Sequence, residues 1–178
     1  MGFEIVLGDI TQMKVDAIAN AANTTLLGGG GVDGAIHRRA GRKLLEECKT
    51  LGGCETGKAK MTKGYDLPAY YVLHTPGPIW HGGDRGEDAL LASSYQSCLN
   101  LAEEHGLQSV AFPSISTGVY RFPLERAAKI AVQTIMGFLD TCHSVQQVVM
   151  VCFDERTKRA YDQALEEYKE QKGNGGER

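Results

Sequence analysis

The sequence has no run of about 18 apolar residues, the length a helix needs to cross a bilayer, so no segment reads as membrane-spanning. Positive charge is not in excess. Nineteen Lys and Arg against 22 Asp and Glu leave a formal net charge of -3, which supplies no electrostatic footprint for nucleic acid or an anionic membrane. An anionic ligand would have to be held by local dipoles instead. The opening MGFEIVLGDIT lacks the basic-then-apolar pattern of a secretory signal, and Val6 stands where myristoylation after Met1-Gly2 favours Ser or Thr. The five cysteines (Cys48, Cys54, Cys98, Cys142, Cys152) never form a CxxC pair and read as small buried apolar residues of a reducing cytoplasm. No metal-ligand spacing occurs among His37, His74, His81, His105 and His143, and no GxSxG elbow presents a serine nucleophile. Neither a metal nor a cofactor is therefore expected.

What is present is an ordinary globular composition, 42% hydrophobic and 23% charged over 178 residues. That length suits one domain, burying roughly 70% of its unfolded surface. The domain is expected over residues 1–170, with a frayed tail, ending GNGGER, over 171–178. It contains no internal repeat and no linker.

Patterning predicts strands at Phe3–Leu7, Val15–Ala19, Gly57–Lys63, Tyr70–His74, Val110–Phe112 and Val145–Phe153. Apolar spacing predicts a helix from Val32 to Thr50, another from about Ala89 to His105 with Gly106 as its C′ residue, and a last one from Glu155 to Lys169. Pro123 opens a further helix to Leu139, proline being favoured at the first helical position. Strands alternating with helices indicate a three-layer α/β domain.

The stretch Asn20 to His37, NAANTTLLGGGGVDGAIH, stands apart. Four successive glycines give up conformational entropy and are kept where side chains must be absent. A strand, a bare-backbone loop and a helix start form an anion site, with free N–H groups and the positive end of the dipole aimed at the ligand. The segment Pro113 to Tyr120, PSISTGVY, repeats that logic with small hydroxyl residues beside one glycine. Two such loops could grip both phosphates of a diphosphate.

At these residues the chain resembles a macro domain of the MacroD type, a family that binds ADP-ribose and removes ADP-ribosyl or acetyl groups from it. The matching segments are Gly8-Asp9-Ile10-Thr11, NAANTTLLGGGGVDGAIH, His74 to Trp80, FPSISTGVY and Val151 to Glu155, so the likeness covers nearly the whole chain. The Asp of GGGGVDGAIH is the discriminating residue, since non-hydrolytic macro domains usually lack it. The resemblance implies an α/β/α sandwich around a central mixed sheet. It implies that Asp9 hydrogen-bonds the adenine amino group beside the Ile10 backbone, with Phe153 stacked on the ring. Gly30, Gly31, Val32, Ser116, Thr117, Gly118 and Val119 would hold the diphosphate, Asn23 would bind the distal ribose, and Tyr120 would pack against that sugar. Asp33 would sit at the scissile bond and orient or activate a water. Where the family usually continues Val-Tyr-Gly-Tyr-Pro, this chain has Val119-Tyr120-Arg121-Phe122-Pro123. A positive φ there would strain Arg121 by about 1 kcal/mol or more; otherwise the loop takes another path and the guanidinium finds an acceptor.

Each residue also has a plainer reading. Asp33 complements a helix dipole, Asn20 and Asn23 cap a turn, Asp9 forms an Asx-turn, and Phe153 ends a strand as core. We assign the turn role to Asn20 and ligand contact to Asn23, and read His37 as a packed or surface histidine. Two motif hits are coincidental. Gly29 to Gly34 fits GxGxxG but lies eight residues beyond the strand, and Gly52 to Lys58 fits GxxxxGK but is followed by Ala59. The leading expectation is a metal-independent hydrolase of ester links to ADP-ribose, in O-acetyl-ADP-ribose or on Asp and Glu of ADP-ribosylated proteins, acting as a cytoplasmic monomer. The alternatives are a non-catalytic reader of ADP-ribosylated partners and, on the glycine hit alone, an NAD-linked dehydrogenase. Whether Asp33 or the substrate's own phosphate activates the water stays open from sequence.

Overall fold

The computed structural model describes residues 2–176. Six strands form one sheet: β1 (Gly2–Leu7), β2 (Ala17–Ala22), β3 (Lys60–Lys63), β4 (Tyr71–Pro76), β5 (Ser109–Phe112) and β6 (Gln147–Cys152). Their order is β1-β6-β5-β2-β4-β3, with β3 antiparallel to β4 and every other pairing parallel. The sheet is therefore mixed, as the resemblance implied.

Period-two alternation sends successive side chains to opposite faces. On one face Ile18, Val72, Ala111, Val149 and Val151 pack under Ile36 and Ala40 of α1 (Gly31–Ala40) and Leu44 and Cys48 of α2 (Arg42–Lys49). On the other, Ala17, Ala19, Leu73, Phe112 and Met150 meet α3 (Glu87–Glu104), α4 (Leu124–Leu139) and α5 (Glu155–Gly176), through residues such as Leu91, Tyr95, Ile135 and Tyr161. This is the three-layer sandwich.

Four expectations need correction. The Val32–Thr50 helix is two helices, because Gly41 (φ +94°, ψ 174°) caps the end of α1 and the start of α2 in backbone only glycine adopts freely. The second strand runs to Ala22, so Asn20 is a buried strand residue and not a turn cap. Pro123 is the N-cap of α4, one position before its first turn. The last helix continues beyond Lys169 to Gly176, through residues 171–176 of the expected tail; Glu177 and Arg178 lie outside the described residues. Gly106, at φ +69° after the C-cap His105, is the C′ residue as expected.

Parallel strands place their carboxyl ends on one side of the sheet, and the loops leaving β1, β6, β5, β2 and β4 gather there. β2 and β5 pair only through Ala17 with Val110 and Ile18 with Ala111. Beyond that, Asn20 pairs with His74 of β4 and Phe112 with Met150 of β6, so the two strands part. A crevice opens between them at the sheet's carboxyl edge, the place where open α/β sheets take ligands. No helix among the described residues is long and apolar enough to cross a membrane.

Candidate functional site

The first loop runs from the end of β2 into α1. Asn23 shapes it: its Nδ2 donates to the Gly28 carbonyl at 2.8 Å, and the Thr25 hydroxyl donates to its Oδ1 at 2.6 Å. Gly28 (φ +92°) and Gly31 (φ +56°) supply left-handed turns, and no atom lies within 4 Å of where a Cβ would stand on Gly30 or Gly31. Bare backbone faces open space at the start of α1. Gly34 lets the helix seat itself, since a Cβ there would stand 2.6 Å from the Gly29 carbonyl oxygen. That seating puts Asp33 against the tract: a Cβ on Gly29 would lie 3.2 Å from Asp33 Oδ2 and 3.4 Å from Asn23 Nδ2. The sequence-predicted pair, Asn23 and Asp33, thus flanks one glycine.

Asp33 is 4% exposed, a burial uncommon for a carboxylate. Its Oδ1 accepts from Asn20 Nδ2 at 2.8 Å and lies 3.4 Å from His37 Nε2, one turn on along α1. Behind Asn20 stands His74, wholly buried, whose Nδ1 is 3.2 Å from the same amide nitrogen. Burial, with His37 nearby, pushes the His74 pKa down to about 4, so the ring is neutral. Asn20, His37 and His74 were missed as site residues. The Asp33–His37 spacing of four on a helix was a visible signal; the strand register joining Asn20 to His74 was not.

The second loop leaves β5 at Pro113. A partly buried hydroxyl chain anchors it: Ser114 Oγ lies 2.7 Å from both Thr117 Oγ1 and Tyr161 Oη, and the Ile115 N–H donates to Tyr95 Oη at 3.1 Å. Phe122 N–H donates to the Ser116 carbonyl and Arg121 N–H to the Gly118 carbonyl, both at 2.9 Å, closing the loop on itself. Gly118 and Val119 stand exposed at its tip, with Thr117 and Tyr120 half-buried beside them. Ser116 (φ +67°) and Arg121 (φ +62°) are both left-handed. Arg121 therefore carries the strain, and among the described residues its guanidinium has no hydrogen-bond or ion-pair partner.

The β4–α3 loop braces this second loop. Trp80 N–H donates to the Tyr120 carbonyl at 2.9 Å, and the Trp80 ring packs on Phe122 with centroids 4.8 Å apart. Arg126 lies over Trp80 and forms a two-pronged pair with Asp88. The Glu87 carboxylate accepts from the N–H groups of His81, Gly83 and Arg85, which hold its pKa down at about 2 against the rise that burial alone would cause.

At the far end of the crevice, β1 and β6 lie side by side. Phe153 follows β6 immediately and is 83% exposed, so it is not core. Leu7, paired in register with Cys152, is exposed next to it. Asp9 accepts from both the N–H and the hydroxyl of Thr11 through Oδ1, an Asx-type cap on the single 3-10 turn of Ile10–Gln12. Both bonds fall on one oxygen, so Oδ2 keeps its lone pairs for another donor. Strands about 4.8 Å apart put β1 roughly 14 Å from β2. Asp9, Ile10 and Phe153 follow β1 and β6, Ser116 to Tyr120 follow β5, and Asn23, Gly30 to Val32 and Asp33 follow β2, so all the candidate residues lie beyond the carboxyl ends of these four neighbouring strands.

Comparison with known proteins gives one answer. The macro domain family model matches residues 19–131. A macro domain-containing protein of Lactiplantibacillus plantarum is 58% identical over 163 residues, 91% of this chain and 95% of that protein. The O-acetyl-ADP-ribose deacetylase of Klebsiella pneumoniae is 53% identical over 169 residues, 93% of this chain and 97% of its own. Among solved structures, an Oceanobacillus iheyensis macrodomain mutant with ADP-ribose superposes at a TM-score of 0.91, with 43% identity and 94% of each chain covered. A Trypanosoma brucei macrodomain in complex with ADP-ribose does so at 0.86, with 44% identity over 92% of this chain and 68% of that one. On its sheet order and these matches, the chain belongs to the macro domain family.

Proposed function

We propose that this macro domain binds ADP-ribose and hydrolyses ester-type links to it, in O-acetyl-ADP-ribose and in mono-ADP-ribose carried on Asp or Glu of proteins. The observation that carries this reading is a buried carboxylate, Asp33, held by Asn20 against a bare glycine tract beside Asn23. The bound relatives support the ligand and the Klebsiella deacetylase supports the reaction. In this reading Asp9 and the Ile10 backbone take the adenine edge and Phe153 stacks on its face. Backbone N–H groups of Gly30, Gly31, Val32 and Ser116 to Val119 hold the diphosphate. Asn23 binds a distal ribose hydroxyl, and Tyr120 packs on the sugar.

The chemistry is ester hydrolysis. Water attacks the acyl carbonyl, the acyl–oxygen bond breaks, and the water's proton passes by way of Asp33 to the departing ribose oxygen. The products are ADP-ribose and a carboxylic acid. General base catalysis of this kind contributes roughly 10²–10⁴-fold, and the substrate's phosphate could share the role. Among the described residues, no group of three or more His, Cys, Asp and Glu is arranged to hold a metal ion.

A non-catalytic reader of ADP-ribosylated partners is the second reading, favoured only by the strained Arg121 at the loop that would close over the distal ribose. Calorimetry with ADP-ribose against NAD and AMP tests the ligand. Failure to bind ADP-ribose at about 100 μM, equivalent to about -5.5 kcal/mol, would sink both readings. Incubation with a protein ADP-ribosylated on Asp and Glu separates eraser from reader. Asp33→Ala is expected to bind ADP-ribose within a few-fold of wild type while losing about 10²–10⁴ in turnover; an equally fast mutant removes Asp33 from the mechanism.

A further inference from the structure

The carboxylate at the reaction centre is the end of a buried chain of polar side chains that starts at the edge strand. Thr62 on β3, His74 on β4 and Asn20 on β2 are 2%, 0% and 0% exposed. Thr62 Oγ1 lies 2.9 Å from His74 Nε2 and 3.1 Å from the Lys63 carbonyl, to which it donates. A hydroxyl has one proton, so with that proton on the Lys63 carbonyl Thr62 accepts from Nε2–H, which also faces the Cys48 sulfur, a weak acceptor, at 3.8 Å. His74 Nδ1 is then a bare acceptor, 3.2 Å from Asn20 Nδ2. The Asn20 amide has two N–H groups, one for His74 Nδ1 and one for Asp33 Oδ1 at 2.8 Å. Its oxygen has no hydrogen-bond partner among the described residues. Asn20 is thus held by its donors alone, and turned about, it would set its oxygen against a carboxylate oxygen.

From this geometry we infer that His74 is a positioning residue for the hydrolysis: a neutral imidazole protonated on Nε2 whose bare Nδ1 fixes the Asn20 amide, and through it the carboxylate of Asp33. The inference rests on the role given to Asp33 above. Without an acceptor at Nδ1, one buried Asn20 N–H is left without a partner, the amide is held only by Asp33, and the carboxylate loses the rigid bond that keeps it facing Gly29. Removing the acceptor should therefore damage turnover while leaving the diphosphate loops, and so ligand affinity, intact.

The test compares His74→Leu, which has no acceptor, with His74→Gln, whose amide oxygen stands in for Nδ1. His74→Leu is expected to lower kcat on O-acetyl-ADP-ribose by about 10–100-fold with the ADP-ribose Kd moved by less than about threefold, and His74→Gln to recover most of the loss. Equal losses in both variants, or a folded His74→Leu with wild-type kcat, would overturn it. Should His74→Leu not fold, nitrogen NMR of the wild-type imidazole decides: a neutral ring protonated on Nε2 at neutral pH upholds the inference, and the opposite tautomer overturns it. A wild-type protein inert on both esters would sink the hydrolase reading alone. Positioning is then read from the Asn20 side-chain amide signals, which move in the leucine variant and return in the glutamine one if His74 sets them, and stay put in both if it does not.

Discussion

Arg121 and Phe153 each do what no packing argument requires. Arg121 holds a left-handed φ of +62°, and among the described residues its guanidinium has no hydrogen-bond or ion-pair partner. Arg121→Gly is expected to raise stability by about 0.5–1 kcal/mol, the relieved strain exceeding the entropy that glycine adds to the unfolded chain. In thermal melts that is a Tm gain of about 1–4 °C; an unchanged or lower Tm would show the turn unstrained. Phe153 leaves 83% of its surface exposed at the lip of the crevice. Phe153→Ala should weaken ADP-ribose by about 1–3 kcal/mol, some 5–150-fold, with little change for ribose phosphate. Calorimetry on both ligands checks it, an equal loss arguing against stacking. Asp33 was legible from its motif as a candidate site residue. Its partner Asn20 and the His74 behind it were not, because those two are 54 positions apart and meet only through strand register.

At the scale of elements, the break at Gly41 explains why one expected helix became two. Ile36, Ala40, Leu44 and Cys48 keep a perfect spacing of four and are all buried, so the apolar stripe runs through both helices and hides the corner between them. At φ +94° and ψ 174°, with a Cβ position 3.1 Å from Asp66 Oδ2, Gly41 occupies a glycine-only conformation. Gly41→Ala is expected to cost about 1–3 kcal/mol, read as a lower urea midpoint at unchanged slope. Gly34 guards the site more directly. An added methyl would meet the Gly29 carbonyl at 2.6 Å and push the first turn of α1, with Asp33, off the glycine tract. Gly34→Ala should accordingly lose turnover by at least about tenfold, since a displacement near 1 Å at a reacting group is enough. Wild-type steady-state kinetics in that variant would contradict the seating argument. The loop residues themselves were legible, glycine and small hydroxyl residues being scarce outside turns. The buried tyrosines that brace the second loop were not, since Tyr95 and Tyr161 come from different helices and look like ordinary core.

The whole molecule responds to acid through groups that fold buried or bonded. His74 drops from 6.5 to about 4 on folding, so between those values the unfolded chain binds a proton that the native one refuses. Stability is full above about pH 6.5 and falls as pH goes down towards 4, by about 3 kcal/mol for this group. Glu87, lowered from 4.5 to about 2, adds a second loss as pH falls below 4.5. Urea titrations across this range should show the first decline in wild type and a flatter one in His74→Gln; parallel curves would mean that His74 does not set it. The sequence by itself determined the alternation of strands and helices, the two glycine- and hydroxyl-rich loops and the acidic residue at the helix start. Those features are local, written in spacing and in residues whose backbone freedom or donors suit one conformation. Only the tertiary structure decided the strand order, the crevice where β2 and β5 part, and the hydrogen-bonded chain from Thr62 to Asp33. Strand pairing is a contest among several similar apolar segments, settled by how all the helices pack at once, and no single stretch of chain carries that information.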